Sequence, residues 1–367
     1  MSSTASGSGP DIKGKGRATT PIRDPLEEHH WGPMRESERW TAANVWKESR
    51  QRAKTDKDSW DYILSSGFAG GIAGCVAKTA IAPLDRVKIL FQTSNAEFRQ
   101  YAGTSTGLLQ ATAKIYKSTG IRGLFQGHSA TLLRIFPYAG VKFMVYDWLE
   151  TILIPTPDKR TPMRFFLAGA LSGVTSVLVT YPLELIRVRL AYQTKASERT
   201  SLREAIRGIY REAHLNPVPT STHQSVSAFT RSIPLYPFYR GFSISIVGMI
   251  PYAGVSFLTY GTLKRHINEF VPYFRERKTQ RDLFCGAVAG AVSQTASYPF
   301  EVIRRRMQVG GVGGGAGISW RDAVKTIYGQ RGWKGFFVGL SIGYVKVIPM
   351  TSISFATWQF MKRVLEI

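Results

Sequence analysis

Three short stretches place a carboxylate and a base three residues apart, just past a proline. They are Pro83, Asp85 and Lys88; Pro182, Glu184 and Arg187; and Pro299, Glu301 and Arg304. That separation puts acid and base on one face of a helix. The charges can pair locally on each helix, or each acid can meet the base of the next stretch. Threefold recurrence favours the cyclic arrangement, with pairs Asp85–Arg187, Glu184–Arg304 and Glu301–Lys88. The implied chemistry is closure by charge pairs. Catalysis would need a nucleophile–base set or a metal cluster. Six scattered histidines and two cysteines supply neither. Cys75 and Cys285 sit in small-residue apolar runs and read as packing residues. No metal or cofactor is expected.

The elements that carry these stretches repeat. GFAGGIAGCVAKTAIAPLDRVKILFQ, LAGALSGVTSVLVTYPLELIRVRLA and FCGAVAGAVSQTASYPFEVIRRRMQ align on their prolines. They also align on the glycine pairs Gly70/Gly74, Gly169/Gly173 and Gly286/Gly290. A second set of prolines, Pro137, Pro251 and Pro349, lies downstream in three further apolar runs. Between the two sets fall short amphipathic pieces marked by Ile115-Tyr116, Ile209-Tyr210 and Ile327-Tyr328. A unit of roughly 100 residues, present three times, accounts for all of it. Each unit reads as long helix, loop, short amphipathic helix, long helix.

The long helices are expected to span a membrane whose apolar core is about 30 Å thick. Spaced glycines let helix backbones approach closely, and mid-span prolines kink each helix. The division read from the sequence is a polar extension over 1–60, then copies at 61–155, 156–270 and 271–367. The second copy carries an insertion at about 213–235. Residues 1–60 read as largely disordered. Their acidic residues Asp11, Asp24, Glu27 and Glu28 argue against a transit peptide.

The chain has 367 residues, 44% hydrophobic, with a formal net charge of +23. Residues 1–60 are nearly charge-balanced, so the basic excess belongs to the body and implies an anionic partner. A nucleic-acid binder would gather that charge on one accessible face. Here the repeated bases lie beside prolines in apolar runs, so no nucleic acid is expected.

The thrice-repeated pattern P-x-D/E-x-x-K/R-x-K/R-x-Q resembles the mitochondrial carrier signature over residues 60–365. PFEVIRRRMQ matches throughout, PLDRVKILFQ departs at Leu90, and PLELIRVRLA departs at Ala191. The resemblance implies an all-α barrel of six transmembrane helices with threefold pseudosymmetry and short matrix helices. It implies the inner mitochondrial membrane, with both termini toward the intermembrane space. The acid–base ring then becomes a matrix gate, braced by Gln92 and Gln308 and lacking one brace at Ala191. A second family motif is eroded to Phe125-Gln126-Gly127, Tyr239-Arg240-Gly241 and Phe337-Val338-Gly339. Such matrix helix ends hold cardiolipin in the family. On the cytoplasmic side only Asp147–Lys264 remains of a second ring. A weak cytoplasmic gate predicts a resting preference for the state open to the intermembrane space.

The family's substrate contact points fall just before the even-helix prolines. Here they are Arg134, the pair Gly248-Met249, and Lys346. Lys78 adds a further cation, and Lys142 reads equally well as a fourth or as a snorkelling or structurally paired lysine. His128 reads as a helix-end residue. Tyr138 and Tyr252 could stack a base or simply pack. Two cations beside a small-plus-apolar pair fit an anionic solute with a flat ring. Within the family, the stretches around Pro83, Pro137 and Pro182 look most like the coenzyme A carriers. The resemblance thus implies coenzyme A as solute, with an adenine nucleotide as the alternative. An uncoupler-like conductor of the same fold is a third reading. One chain supplies a whole barrel, so a monomer is expected.

Overall fold

The computed structural model describes residues 60–104, 106–156, 160–194, 201–215, 235–270, 278–312 and 317–365. The extension 1–59, most of the expected insertion and residues 313–316 lie outside the described residues. Every regular element among the described residues is helical.

Helices α1 (Trp60–Gln92), α2 (Gly107–Leu124) and α3 (His128–Leu153) make the first copy. The second has α4 (Pro162–Tyr192), α5 (Leu202–Leu215), a 3-10 turn at Tyr236–Tyr239, and α6 (Phe242–Phe270). The third has α7 (Lys278–Val309), α8 (Trp320–Arg331), a 3-10 turn at Gly332–Phe337, then α9 (Leu340–Val345) and α10 (Val347–Leu365). Both short helices with a serine ahead of them use it. Ser201 and Glu204 form a reciprocal capping box, and Ser319 accepts from the Arg321 amide.

Helices α1, α3, α4, α6 and α7 run through their prolines. The sixth span breaks instead: α9 ends and α10 begins around Lys346, three residues before Pro349. Proline removes the amide that would bond the carbonyl four residues back. By length and composition, Ser65–Gln92, Met163–Tyr192, Tyr236–Ile267 and Trp320–Leu365 can each cross a membrane. Helices α3 and α7 have the length, at 26 and 32 residues. They carry more charge along it, including Arg134 and Lys142 on α3.

Copies join in a circle. The most extensive packing sets α3 against α4, α6 against α7, and α10 against α1, so each copy's last span meets the next copy's first. Helices α1, α4 and α7 also touch one another. Burial concentrates where they converge, from each odd-helix proline to the helix end. There the clusters Val87–Leu90–Phe98–Ile115, Tyr181–Leu185–Ile209–Phe238 and Tyr298–Val302–Ile327–Phe336 repeat one another. Large apolar side chains elsewhere, such as Met144, Leu258, Leu283 and Phe355, are exposed. That is the pattern of helices whose solvent is lipid.

The glycines of the eroded motif do a specific job. Gly127, Gly241 and Gly339 start α3, α6 and α9 with φ of +82°, +81° and +85°. A Cβ at Gly127 would stand 2.8 Å from the Arg187 carbonyl oxygen, and one at Gly339 3.1 Å from the Tyr298 hydroxyl. Only glycine combines that backbone with that proximity. The spaced glycines behave otherwise than expected. A Cβ at Gly70, Gly169, Gly286 or Gly290 meets nothing within 4 Å. The close approach falls on Gly71, where a Cβ would run into the Phe136 ring. The faces carrying Gly70, Gly169 and Gly286 meet open space in this conformation.

Candidate functional site

The three acids and three bases meet where α1, α4 and α7 converge. Arg187 lies 2.7 Å from Asp85, Lys88 lies 2.9 Å from Glu301, and Arg304 contacts Glu184. Every pair bridges two different copies. Asp85 and Glu184 are almost wholly buried. A buried charge is tolerated only when paired, and losing one partner of such a pair costs about 3–5 kcal/mol.

Two cations from the even helices enter the same cluster. Arg134 lies 3.0 Å from Glu184 and donates to the Thr180 hydroxyl at 3.2 Å. Lys346 lies 2.8 Å from Asp85. Both sit three residues before an even-helix proline, and each reaches the acid of the following copy. The third such position is Gly248, which has no charge to offer Glu301. Arg305, which the spacing argument passed over, adds a further contact to Glu184 at 3.1 Å. The acids are therefore unequally supplied: Glu184 meets three guanidinium groups, Asp85 an arginine and a lysine, Glu301 one lysine. Lys78 is half-buried, with Nζ 3.5 Å from the Met350 sulfur.

The glutamines act through tyrosines. Gln92 donates to Tyr298 OH at 3.0 Å and to Glu301 at 3.1 Å. Gln308 donates to Tyr181 OH at 3.1 Å and accepts from Arg305 at 2.9 Å. Each tyrosine then donates to an even-helix start, Tyr181 to the Arg240 carbonyl and Tyr298 to the Val338 carbonyl. Both tyrosines immediately precede the odd-helix prolines, a position filled by Ala82 in the first copy. The seam that lacks a glutamine at Ala191 thus lacks its tyrosine as well. Ala82 and Ala191 instead line a small cavity with Arg187, His128 and Thr131. Arg86 spans this seam, donating to the carbonyls of Ala191 at 3.3 Å and Gln193 at 2.6 Å and to Gln126 at 3.0 Å.

Other expectations fare differently. Lys264 is not paired with Asp147 in this conformation; its Nζ is 3.5 Å from Asp282. The acid–base pairs near the far ends of α1, α4 and α7 are made in this same conformation. Gly248 is not simply room for a flat ring. A Cβ there would stand 2.9 Å from the Phe300 Cβ, so the glycine lets α6 lie against α7. Met249 reaches toward α4, its Cε 3.8 Å from where a Gly173 Cβ would be. His128 opens α3 and hydrogen-bonds Thr79 at 2.9 Å, Arg134 stacks over Tyr138, and Lys142 is exposed. A separate knot ties the second and third copies. Arg189 grips both Glu212 oxygens, at 2.7 and 3.0 Å, and Arg240 joins Glu212 to the Gly310 carbonyl. Among the described residues, no three His, Cys, Asp or Glu side chains converge as a metal site would require.

Three helix-turn-helix copies, closed in a circle and sealed at one end by inter-copy charge pairs, define a membrane carrier barrel. A family model described as mitochondrial carrier protein matches residues 59–156, 158–216, 220–270 and 275–367. The chain belongs to the mitochondrial carrier protein family, whose members are transporters. It is 44% identical over 346 residues to a mitochondrial carrier protein of Saccharomyces cerevisiae, covering 86% of this chain and 94% of that one. It is 38% identical over 317 residues to human solute carrier family 25 member 16, covering 82% and 88%. The maize mitochondrial carrier protein CoAc2 is 36% identical over 323 residues, covering 87% and 92%.

Proposed function

We propose that this chain carries coenzyme A, or a closely related adenine-bearing phosphorylated solute, across the inner mitochondrial membrane by alternating access. The observation that carries the reading is the double attachment of Arg134 and Lys346. Each belongs to a contact position and each is ion-paired with a gate acid. Phosphate oxygens compete with carboxylates for the same cations. A phosphorylated solute at Arg134, Lys346 and Lys78 therefore removes part of the charge that holds Glu184 and Asp85. A ligand shifts a conformational equilibrium only through differential affinity for its states. Here the differential has a source, because the solute binds the cations better once the acids have let them go. A charge-assisted contact contributes about 1.5–3 kcal/mol, so three can offset the opening of one or two ring pairs.

Coenzyme A is favoured by the plant relatives, whose name CoAc reads as a coenzyme A carrier. An adenine nucleotide fits the same cations and is the second reading. An uncoupler-like conductor has no use for cations placed at the contact positions. The made acid–base ring and the open Asp147–Lys264 pair support the reading of a resting preference for the state open to the intermembrane space, the side to which we assign both termini. The cleft at Phe337, Val338 and Gly339, flanked by Arg331 and Lys334, suits an anionic lipid such as cardiolipin. The chain closes its own circle, which supports a monomer.

The test is uptake into liposomes containing the full chain, with coenzyme A, its dephospho form, ADP, ATP and inorganic phosphate compared side by side. Saturable uptake of coenzyme A exceeding that of phosphate is expected. Uptake of none of the adenine-bearing solutes contradicts the proposal.

A further inference from the structure

Gln294 lies on α7 five residues before Pro299, the register that Lys78 occupies before Pro83. Its side chain is half-buried. A Cβ on Gly343 would stand 2.5 Å from the Gln294 Nε2 and 3.6 Å from the Lys88 Nζ. Side chains from α1 and α7 thus converge on a notch in α9, three residues before Lys346 and on the same face. Among the described residues the Gln294 amide has no hydrogen-bond partner. An amide left unpartnered inside a membrane barrel is costly unless water or a ligand completes it.

The surroundings say which part of a solute would do so. At Asp85 and Glu184 the even helices contribute Lys346 and Arg134. At Glu301 the even helix of the second copy contributes Gly248 in place of a cation; Lys88 and the Gln92 amide contact the carboxylate, Tyr298 bonds the same Gln92 amide, and the Gln294 amide lies at the Gly343 notch beside Lys88. Two corners of the ring thus hold an even-helix cation that can meet phosphate, and at the third the uncharged group facing the notch is the Gln294 amide. A primary amide matches the N6/N7 edge of adenine, donating to one atom and accepting from the other.

We infer that Gln294, held in the Gly343 notch, reads the base edge of an adenine-bearing solute and sets base preference apart from phosphate binding. This rests on the carrier reading above.

The experiment is inhibition of labelled coenzyme A uptake by ADP, IDP and pyrophosphate in liposomes containing the full chain. IDP replaces the adenine amino group with an oxygen and keeps both phosphates. In the wild type, ADP should compete roughly tenfold better than IDP, the worth of about one hydrogen bond. Gln294→Ala should bring the two within about twofold while pyrophosphate inhibition stays unchanged. Gly343→Ala should do the same with Gln294 still present, because its methyl runs into the flexible end of that side chain and displaces the amide, while Lys88 Nζ at 3.6 Å is in ordinary contact. Lys346→Ala, in contrast, should weaken all three inhibitors. An ADP preference that survives Gln294→Ala overturns the inference. So does a wild type without that preference, or a variant in which pyrophosphate weakens as much as ADP. A wild type that takes up no coenzyme A overturns the carrier proposal itself, which is a separate and recognisable failure.

Discussion

Arg134→Ala and Lys346→Ala are each expected to lower coenzyme A uptake at subsaturating solute by roughly 10- to 100-fold. The range is the worth of one charge-assisted contact to phosphate. Both variants should still fold. Glu184 keeps Arg304 and Arg305 when Arg134 is gone, and Asp85 keeps Arg187 when Lys346 is gone. Tm in detergent should therefore move far less than uptake does. Lys346→Arg should retain part of the activity, since charge is preserved while the ammonium's compact geometry is not. Near-normal uptake by both alanine variants would remove these residues from the solute site.

The largest stability effect is expected at Glu184. Glu184→Gln strips one carboxylate from three guanidinium groups, and an arginine keeps its charge in any environment. Breaking a buried pair from one side costs about 3–5 kcal/mol. That corresponds to a fall of roughly 10 °C in Tm for a chain of this size. Asp85→Asn should cost less and Glu301→Gln least, because Glu301 meets only Lys88 and keeps a hydrogen-bond donor in Gln92. Thermal unfolding of the three variants in detergent checks the order. Equal losses at all three would mean that the unequal supply of cations has no energetic weight.

The scaffold was readable because one unit is written three times. Any acid–base spacing that recurs with its proline must occupy equivalent places, so Asp85–Arg187, Glu184–Arg304 and Glu301–Lys88 could be named before any coordinates. What the spacing could not express was the meeting of unlike helices. Nothing local links Lys346 to Asp85, 261 residues away, or Arg134 to Glu184. Arg305 sits outside the repeated pattern, so it escaped notice. Tyr181 and Tyr298 carried a usable signal: the residue before the proline is tyrosine in two copies and alanine in the first. That alternation mirrors Gln92, Gln308 and Ala191 one seam around.

Other positions show the same limit of spacing. The register of Gly248 before Pro251 says nothing of Phe300, the neighbour on an adjoining helix that a Cβ there would meet. The spacing of the glycines predicts contact points between helices, yet in this conformation most face open space. Asp147 and Lys264 were paired by register, but a register holds for whichever state closes that end. Sequence spacing records which residues are equivalent. It does not record which of two alternating closures is made.

The central claim is that solute and gate share Arg134 and Lys346. Spin labels at Gln100, an exposed position in the segment after α1, and Arg203, exposed in the first turn of α5, report that closure. Cys75 and Cys285 are replaced so that only these sites react. Saturating coenzyme A is expected to lengthen the distance between the labels in the otherwise wild-type chain and to leave it unchanged in Lys346→Ala. A distance that ignores coenzyme A in the wild-type background, or that lengthens equally without Lys346, would contradict the account.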